Sequence, residues 1–159
     1  MKSLLFKTVA LSLAATWAGI AMAKSGEVSI IQCSGGEVQN VVNSPQHSFG
    51  TGKTYGTVRT DPAGGLFDMM TTQCMGAYVV VDGKPSAWGH CEWLDKDGDK
   101  VLLHYARSEG LAGKFNVVHG TGKYAGLSGT RDYKIIPFPA VPGIRTVCDE
   151  GKLQYTMPD

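Results

Sequence analysis

The chain has 159 residues, with 15 Lys and Arg against 14 Asp and Glu, a formal net charge of +1. That balance, with no basic tract and no patterned Lys/Arg face, excludes electrostatic docking to nucleic acid or to an anionic membrane surface. The length fits one ordinary domain.

The N-terminus reads as a targeting segment. Lys2 and Lys7 come first, an apolar run follows from Leu11 to Ile20, and the stretch ends on the small-residue triplet Ala21-Met22-Ala23. This pattern predicts a secretory signal peptide over residues 1–23, cleaved after Ala23. Thr16 and Gly19 interrupt a run already shorter than the roughly 20 apolar residues that a membrane-spanning helix needs. No membrane insertion is expected once the signal is removed, and the destination is periplasmic or secreted. Without Lys2 and Lys7, the 15 basic residues fall to 13 against the same 14 acidic ones, so the mature domain, residues 24–159, is close to neutral.

The mature part carries no long amphipathic pattern. Short apolar or alternating runs are separated by Gly, Pro, Asp and Asn clusters, which predicts an all-β sandwich or barrel. The expected strands are Glu27–Cys33, Gly56–Thr60, Met69–Val81, Ser86–Leu94, Val101–Arg107, Lys114–His119, Leu127–Ile136 and Thr146–Thr156. Pro137–Gly143 holds three prolines, which remove ladder donors, and is expected to be an exposed loop before the last strand.

Cys33, Cys74, Cys91 and Cys148 all lie in the mature part. An even count in an exported chain predicts two disulfides, and no closely spaced Cys/His pair suggests zinc. The hairpins choose the partners. Asp82-Gly83 is a favoured two-residue type I′ turn. Counting outward from it, Cys74 faces Cys91 in a non-hydrogen-bonded pair, the closer kind of cross-strand neighbour. Pro85 then faces Val80, where its missing N–H breaks no bond between these strands. Cys33–Cys148 remains, and would tie the first strand to the last, as in a sheet that closes on itself.

Asp97-Gly98 reads as a second two-residue turn, which puts Glu92 opposite Leu103 and His90 opposite Tyr105. One face of the three-strand meander then collects Met75, Trp88, His90, Glu92, Leu103, Tyr105 and Arg107. His104 falls on the other face. A carboxylate, an imidazole, a phenol and a guanidinium beside an indole make a candidate site for a small aromatic or carbonyl compound. Glu92 or His90 would act as general base, and Tyr105 or Arg107 would stabilise developing negative charge. Trp88, Met75 and Leu103 would line the ligand. Neither face of the meander is cleanly polar, so one is expected to line a barrel and the other to be covered by a second copy of the chain, as a dimer or trimer.

Other motifs carry less. Gly50-Thr51-Gly52-Lys53-Thr54 resembles the end of a phosphate-binding loop, but His47 stands where that motif needs its first glycine. Asp95-Lys96-Asp97-Gly98-Asp99 resembles a calcium loop, but Lys100 and Ala106 stand where an EF-hand needs glycine and glutamate. It reads as a solvated hairpin tip. The four histidines show no metal spacing, and neither a metal nor a cofactor is expected. Phe49–Gly56 echoes His119–Gly126, which suggests similar turns at two barrel corners.

In His119-Gly120-Thr121-Gly122-Lys123-Tyr124-Ala125-Gly126-Leu127-Ser128-Gly129, glycines bracket one aromatic between two strands, the mark of a tight connection. This segment resembles the GTGxYxGxxG turn of the allene oxide cyclase-like and dirigent-like β-barrels. The resemblance spans Cys74 to Ile136. It implies a single antiparallel eight-stranded barrel with a central apolar cavity, often trimeric. It also implies cofactor-free chemistry, since plant members guide closure of an unsaturated epoxide or coupling of phenoxy radicals. Only the turn glycines and Tyr124 carry over, as structural residues. The expected function is an exported barrel that binds a small hydrophobic or aromatic molecule and directs a cyclisation, isomerisation or lyase-type step. The alternative is a non-enzymatic envelope protein-binding module, an inhibitor or structural factor.

Overall fold

A computed structural model describes residues 23–44, 46–137 and 144–158. Residues 1–22 of the expected signal segment, 138–143 of the expected proline-rich loop, and residues 45 and 159 lie outside the described residues. Eight strands follow one another: β1 (Lys24–Ser44), β2 (His47–Asp61), β3 (Met70–Val81), β4 (Lys84–Leu94), β5 (Lys100–Ser108), β6 (Ala112–Gly120), β7 (Ser128–Ile136) and β8 (Arg145–Met157). Each pairs antiparallel with the next, and β8 pairs with β1, so the sheet is a closed barrel without an open edge.

The first hairpin has the expected register. Asp82 (φ 51°) and Gly83 (φ 75°) both take the left-handed conformation of a type I′ turn. Val80 faces Pro85 and Cys74 faces Cys91. Both disulfides form as expected, Cys74–Cys91 facing the interior and Cys33–Cys148 fastening β1 to β8.

The second hairpin corrects the expectation by one residue. The Asp95 carboxylate accepts the N–H groups of Asp97 (2.8 Å) and Asp99 (3.0 Å). The Gly98 N–H donates to the Asp95 carbonyl (3.2 Å) and the Asp95 N–H to the Asp99 carbonyl (3.0 Å). The loop is therefore the three residues Lys96-Asp97-Gly98, with Gly98 at φ 89° in the left-handed position. Cys91 faces Leu103, Glu92 faces Leu102, and His90 faces His104. A slip of one residue exchanges the two faces of a strand, so all of β5 is turned over relative to the expectation.

β1 and β2 are much longer than expected. Glycines lie inside this hairpin: Gly36 faces Thr54 and Gly56 faces Ser34. A Cβ on Gly36 would lie 2.1 Å from the Lys53 carbonyl oxygen, and one on Gly56 1.8 Å from that of Cys33. Close backbone approach keeps these positions glycine. The Phe49–Gly56 echo is therefore strand, not a second corner turn.

One end of the barrel is solid. Phe67, from the β2–β3 connection, turns inward and stacks on Tyr124 at 5.7 Å. Its ring also meets Trp93 at 6.2 Å and Tyr155 at 5.2 Å, both edge-on. Tyr124 comes from the short 3₁₀ turn Gly122–Tyr124 within the glycine-rich connection. Its hydroxyl donates to the Leu66 carbonyl (2.9 Å). Ile30, Val58, Met70, Val101, Leu103 and Leu153 complete this core. Just outside it, the Lys123 ammonium lies against the carboxylates of Asp95 and Asp97. Burial works against the Asp95 charge, but Lys123 and the two loop N–H groups outweigh it and hold its carboxyl down at about 2. A lysine thus occupies the acidic loop that resembles a calcium site.

The two disulfides should contribute unequally. Cys33–Cys148 spans 115 residues and Cys74–Cys91 spans 17. Loop entropy predicts a loss of about 4–5 kcal/mol for the C33A/C148A variant and about 3 kcal/mol for C74A/C91A. Urea unfolding checks the order, and an equal or reversed order would mean that the β1–β8 seam does not depend on its bridge.

Candidate functional site

The opposite end of the barrel is hollow. It lies toward the C-terminal ends of β1, β3, β5 and β7, away from the Phe67 plug. The cavity leaves about 100 Å³ of free space and opens to solvent. Its walls carry Tyr105, Phe115 and Tyr133, the Cys74–Cys91 disulfide, and the polar groups of Arg107, Arg145 and Asp149.

The register correction decides which expected site residues reach it. Tyr105 and Arg107 face the cavity. Leu103 also faces inward but is fully buried in the core. Met75, Trp88, His90 and Glu92 lie on the outer wall, with Met75 58% and Trp88 45% exposed. The expected constellation is therefore divided by the sheet itself. Glu92 accepts a hydrogen bond from Lys100 (3.1 Å) at the surface. The rings of His90 and His104 meet on the outer wall at 5.1 Å. Among the described residues no group of three or more His, Cys, Asp or Glu is placed to hold a metal ion.

The floor of the cavity is an ion pair absent from the sequence reading. Arg131 on β7 donates from Nη2 to Asp149 Oδ1 on β8, and Arg131 has no exposed surface. Its guanidinium carbon sits 4.5 Å from the centre of the Phe115 ring, 5.8 Å from Trp93 and 5.9 Å from Tyr133. The Nε and Nη1 groups have no hydrogen-bond partner among the described residues, so these π-faces and Asp149 are what compensate the charge. Burial pushes the Asp149 carboxyl above the usual carboxylate range, with Arg131 restraining the rise. Beside it, Gln32 accepts from the Trp93 indole N–H (2.8 Å), and its amide nitrogen faces the sulfurs of Cys74 and Cys91 at 3.6 and 3.9 Å.

Above the floor stand the phenols. Burial pushes Tyr133 up to about 12, with Arg107 opposing and Asp149 reinforcing the rise. Burial likewise raises Tyr105, against the pull of Arg145 and Arg107. Both remain proton donors near neutral pH. The Tyr105 ring lies against the glycine pair Gly76 and Gly89, and a Cβ on Gly76 would come within 2.1 Å of its hydroxyl. Arg107 closes the series, donating from Nη1 to the Gly110 carbonyl.

Asp149 had a signal in the sequence. Cys33–Cys148 bridges the outer face, so strand alternation turns the adjacent Gln32 and Asp149, which face each other, into the barrel. Arg131 has none beyond a place in an alternating strand.

No protein-family model matches the chain, and no curated protein matches it. Among solved structures, 7 chains match. One is the pterocarpan synthase dirigent protein GePTS1, with a TM-score of 0.57 and 12% sequence identity, covering 94% of this chain and 100% of that one. The chain has a dirigent-like barrel fold. At this identity the likeness is one of fold, and it agrees with the closed eight-stranded barrel that the glycine-rich turn suggested. Among the described residues no helix is long and apolar enough to cross a membrane.

The interior of the barrel depends on Arg131 and Asp149 as a unit. Arg131→Met alone leaves a buried carboxylate without its partner and should cost about 3–5 kcal/mol. R131M/D149L should cost less than R131M alone. Chemical denaturation of R131M, D149L and the double variant checks this, and a double loss equal to the sum of the two single losses would show that the pair is not coupled.

Proposed function

We propose that this is an exported barrel that binds a small aromatic or otherwise hydrophobic molecule in the open half of its interior and directs a cofactor-free cyclisation, isomerisation or lyase-type step there. The observation that carries the proposal is the asymmetry of the interior. One half is filled by Phe67, Tyr124 and Trp93, while the other keeps free space beside groups that can move protons. A solid structural barrel would fill both halves to native density. The two disulfides accord with an oxidising compartment, as does the secretory pattern at the N-terminus. The likeness to a dirigent protein described as a pterocarpan synthase supports a role in guiding a small molecule.

In this reading the roles move to residues that share the cavity. Asp149 is the carboxyl that lines the cavity, and burial raises its proton affinity, so it is the group suited to general acid–base work. Tyr133 and Tyr105 donate hydrogen bonds to oxygen atoms of the ligand. Phe115 and the disulfide hold its apolar body. Fixing one conformer between these walls favours one ring closure or one shift over others.

A second reading rests on the outer wall. Phe49, Tyr55, Met75 and Trp88 are each at least 45% exposed on β2, β3 and β4. The wall formed by β6, β7 and β8 instead carries ion pairs such as Lys114–Asp132 and, where β8 meets β1, Lys152–Glu27. Exposed apolar and aromatic side chains on this wall, set beside the charges of Lys53 and Glu92, fit a protein partner: a second copy in a dimer or trimer, or another envelope protein.

Native mass spectrometry of protein purified from its own source tests both readings. The expected result is a mass excess that disappears on denaturation, corresponding to a retained small molecule, with the copy number read from the same spectrum. A bare protein whose Tyr105 and Tyr133 ring signals are unmoved by a panel of small aromatics would contradict the cavity proposal. A monomer would then leave the outer wall to a different protein.

A further inference from the structure

The arginines of this barrel fall into two kinds. Arg59 pairs with Asp68, and Arg131 pairs with Asp149. Arg107 and Arg145 meet no carboxylate among the described residues, yet both line the cavity. Arg107 is only 9% exposed. A buried cation is expensive unless a negative group compensates it. The one carbonyl that Arg107 contacts, that of Gly110, engages a single nitrogen and carries no charge. Burial lowers the proton affinity of Arg107 and the like charge of Arg145 lowers it further, while Tyr133 and Tyr105 act in the opposite direction. Tyr105 and Tyr133 stand close but stay protonated, so they supply dipoles and no counter-charge. The Asp149 carboxylate is already matched by Arg131 at the floor.

The cavity is thus polarised along its length. It is neutral at the floor, aromatic in the middle, and positive at the end where Arg107 and Arg145 stand. Arg145 is exposed and lies 5.3 Å over the face of Tyr78, on the rim. An exposed guanidinium at a mouth attracts anions from solution, and a buried one within holds them by paired N–H groups.

We infer that the ligand of this cavity is a carboxylic acid with an aromatic body: its carboxylate is bound by Arg107 and Arg145, and its ring lies between Phe115, Tyr105 and Tyr133 with the far end over Asp149. The inference rests on the cavity being the ligand site, as proposed above, and adds the chemical class. The acid end is an anchor and takes no part in any reaction. It orients the molecule so that the end opposite the carboxylate meets the acid–base group. Guanidinium planarity suits a carboxylate, which it can hold through two parallel hydrogen bonds, so lysine would be a poorer anchor in this position.

A matched pair of probes tests this. trans-Cinnamate and trans-cinnamyl alcohol share ring and length and differ in the charged end. Calorimetric titration of the full mature protein at neutral pH should show the acid binding at least about tenfold more tightly than the alcohol, the size expected of a charge-assisted pair. Added salt should weaken the acid and leave the alcohol unchanged. Arg107→Gln should bring the two affinities together. Arg145→Gln, at an exposed position whose replacement leaves the core intact, should reduce the ratio and keeps the test decisive if R107Q does not fold. Equal affinities in the unaltered protein, or a ratio that neither substitution changes, would overturn the anionic anchor while leaving the aromatic cavity standing. Failure of both compounds to bind would overturn the cavity reading and the anchor together.

Discussion

Arg131 organises the interior of this barrel. A guanidinium with no exposed surface must be compensated where it stands, and here a carboxylate and three aromatic rings do so. The requirement fixes Asp149, Phe115, Trp93 and Tyr133 around one point. It also splits the barrel in two. Below the pair, Trp93 hands over to Phe67 and Tyr124 and the core is packed. Above it, Phe115 and Tyr133 become walls of a cavity whose floor is Asp149. The same residues thus terminate the core and begin the site, and neither half can be altered without the other registering it.

Chirality and alternation did most of the work of getting there. The Asp82-Gly83 turn is short and chemically specific, so it sets the β3–β4 register without ambiguity, and the disulfide inside the barrel was readable by counting from it. The Asp97-Gly98 dipeptide looks equally specific, yet Asp95 competes for the loop. Its side chain captures two backbone N–H groups and begins the turn one residue earlier. Side chain against backbone is the kind of contest that a dipeptide signal does not contain. The result was a site assembled from residues on two sides of a wall, with Tyr105 and Arg107 inside and His90, Glu92, Trp88 and Met75 outside.

The parts of the fold that escaped the sequence share a cause. Gly50 and Gly52 read as turn residues, but in β1 and β2 they and Gly36 and Gly56 are places where strands crowd each other. Glycine signals close approach as well as a bend, and one sequence does not say which. Arg131 escaped because a charged residue in an alternating strand is ordinarily read as facing water. Only the closure of the sheet and the position of Cys148 reveal that β7 and β8 turn Arg131 and Asp149 inward. Eight strands, closure, both bridges and the glycine-rich turn as a structural connection were legible, while its plugging role and the cavity's polar floor required three-dimensional placement.

The measurement that bears most directly on this division of the barrel is a crystal structure of the protein soaked with a small aromatic acid. The expected density lies inside the barrel, with the ring against Phe115 and Tyr133, Asp149 beneath it, and the Phe67–Tyr124 plug undisturbed. Density on the outer wall at Met75 and Trp88, or a barrel whose upper half has collapsed to fill itself, would contradict an interior divided between core and ligand site.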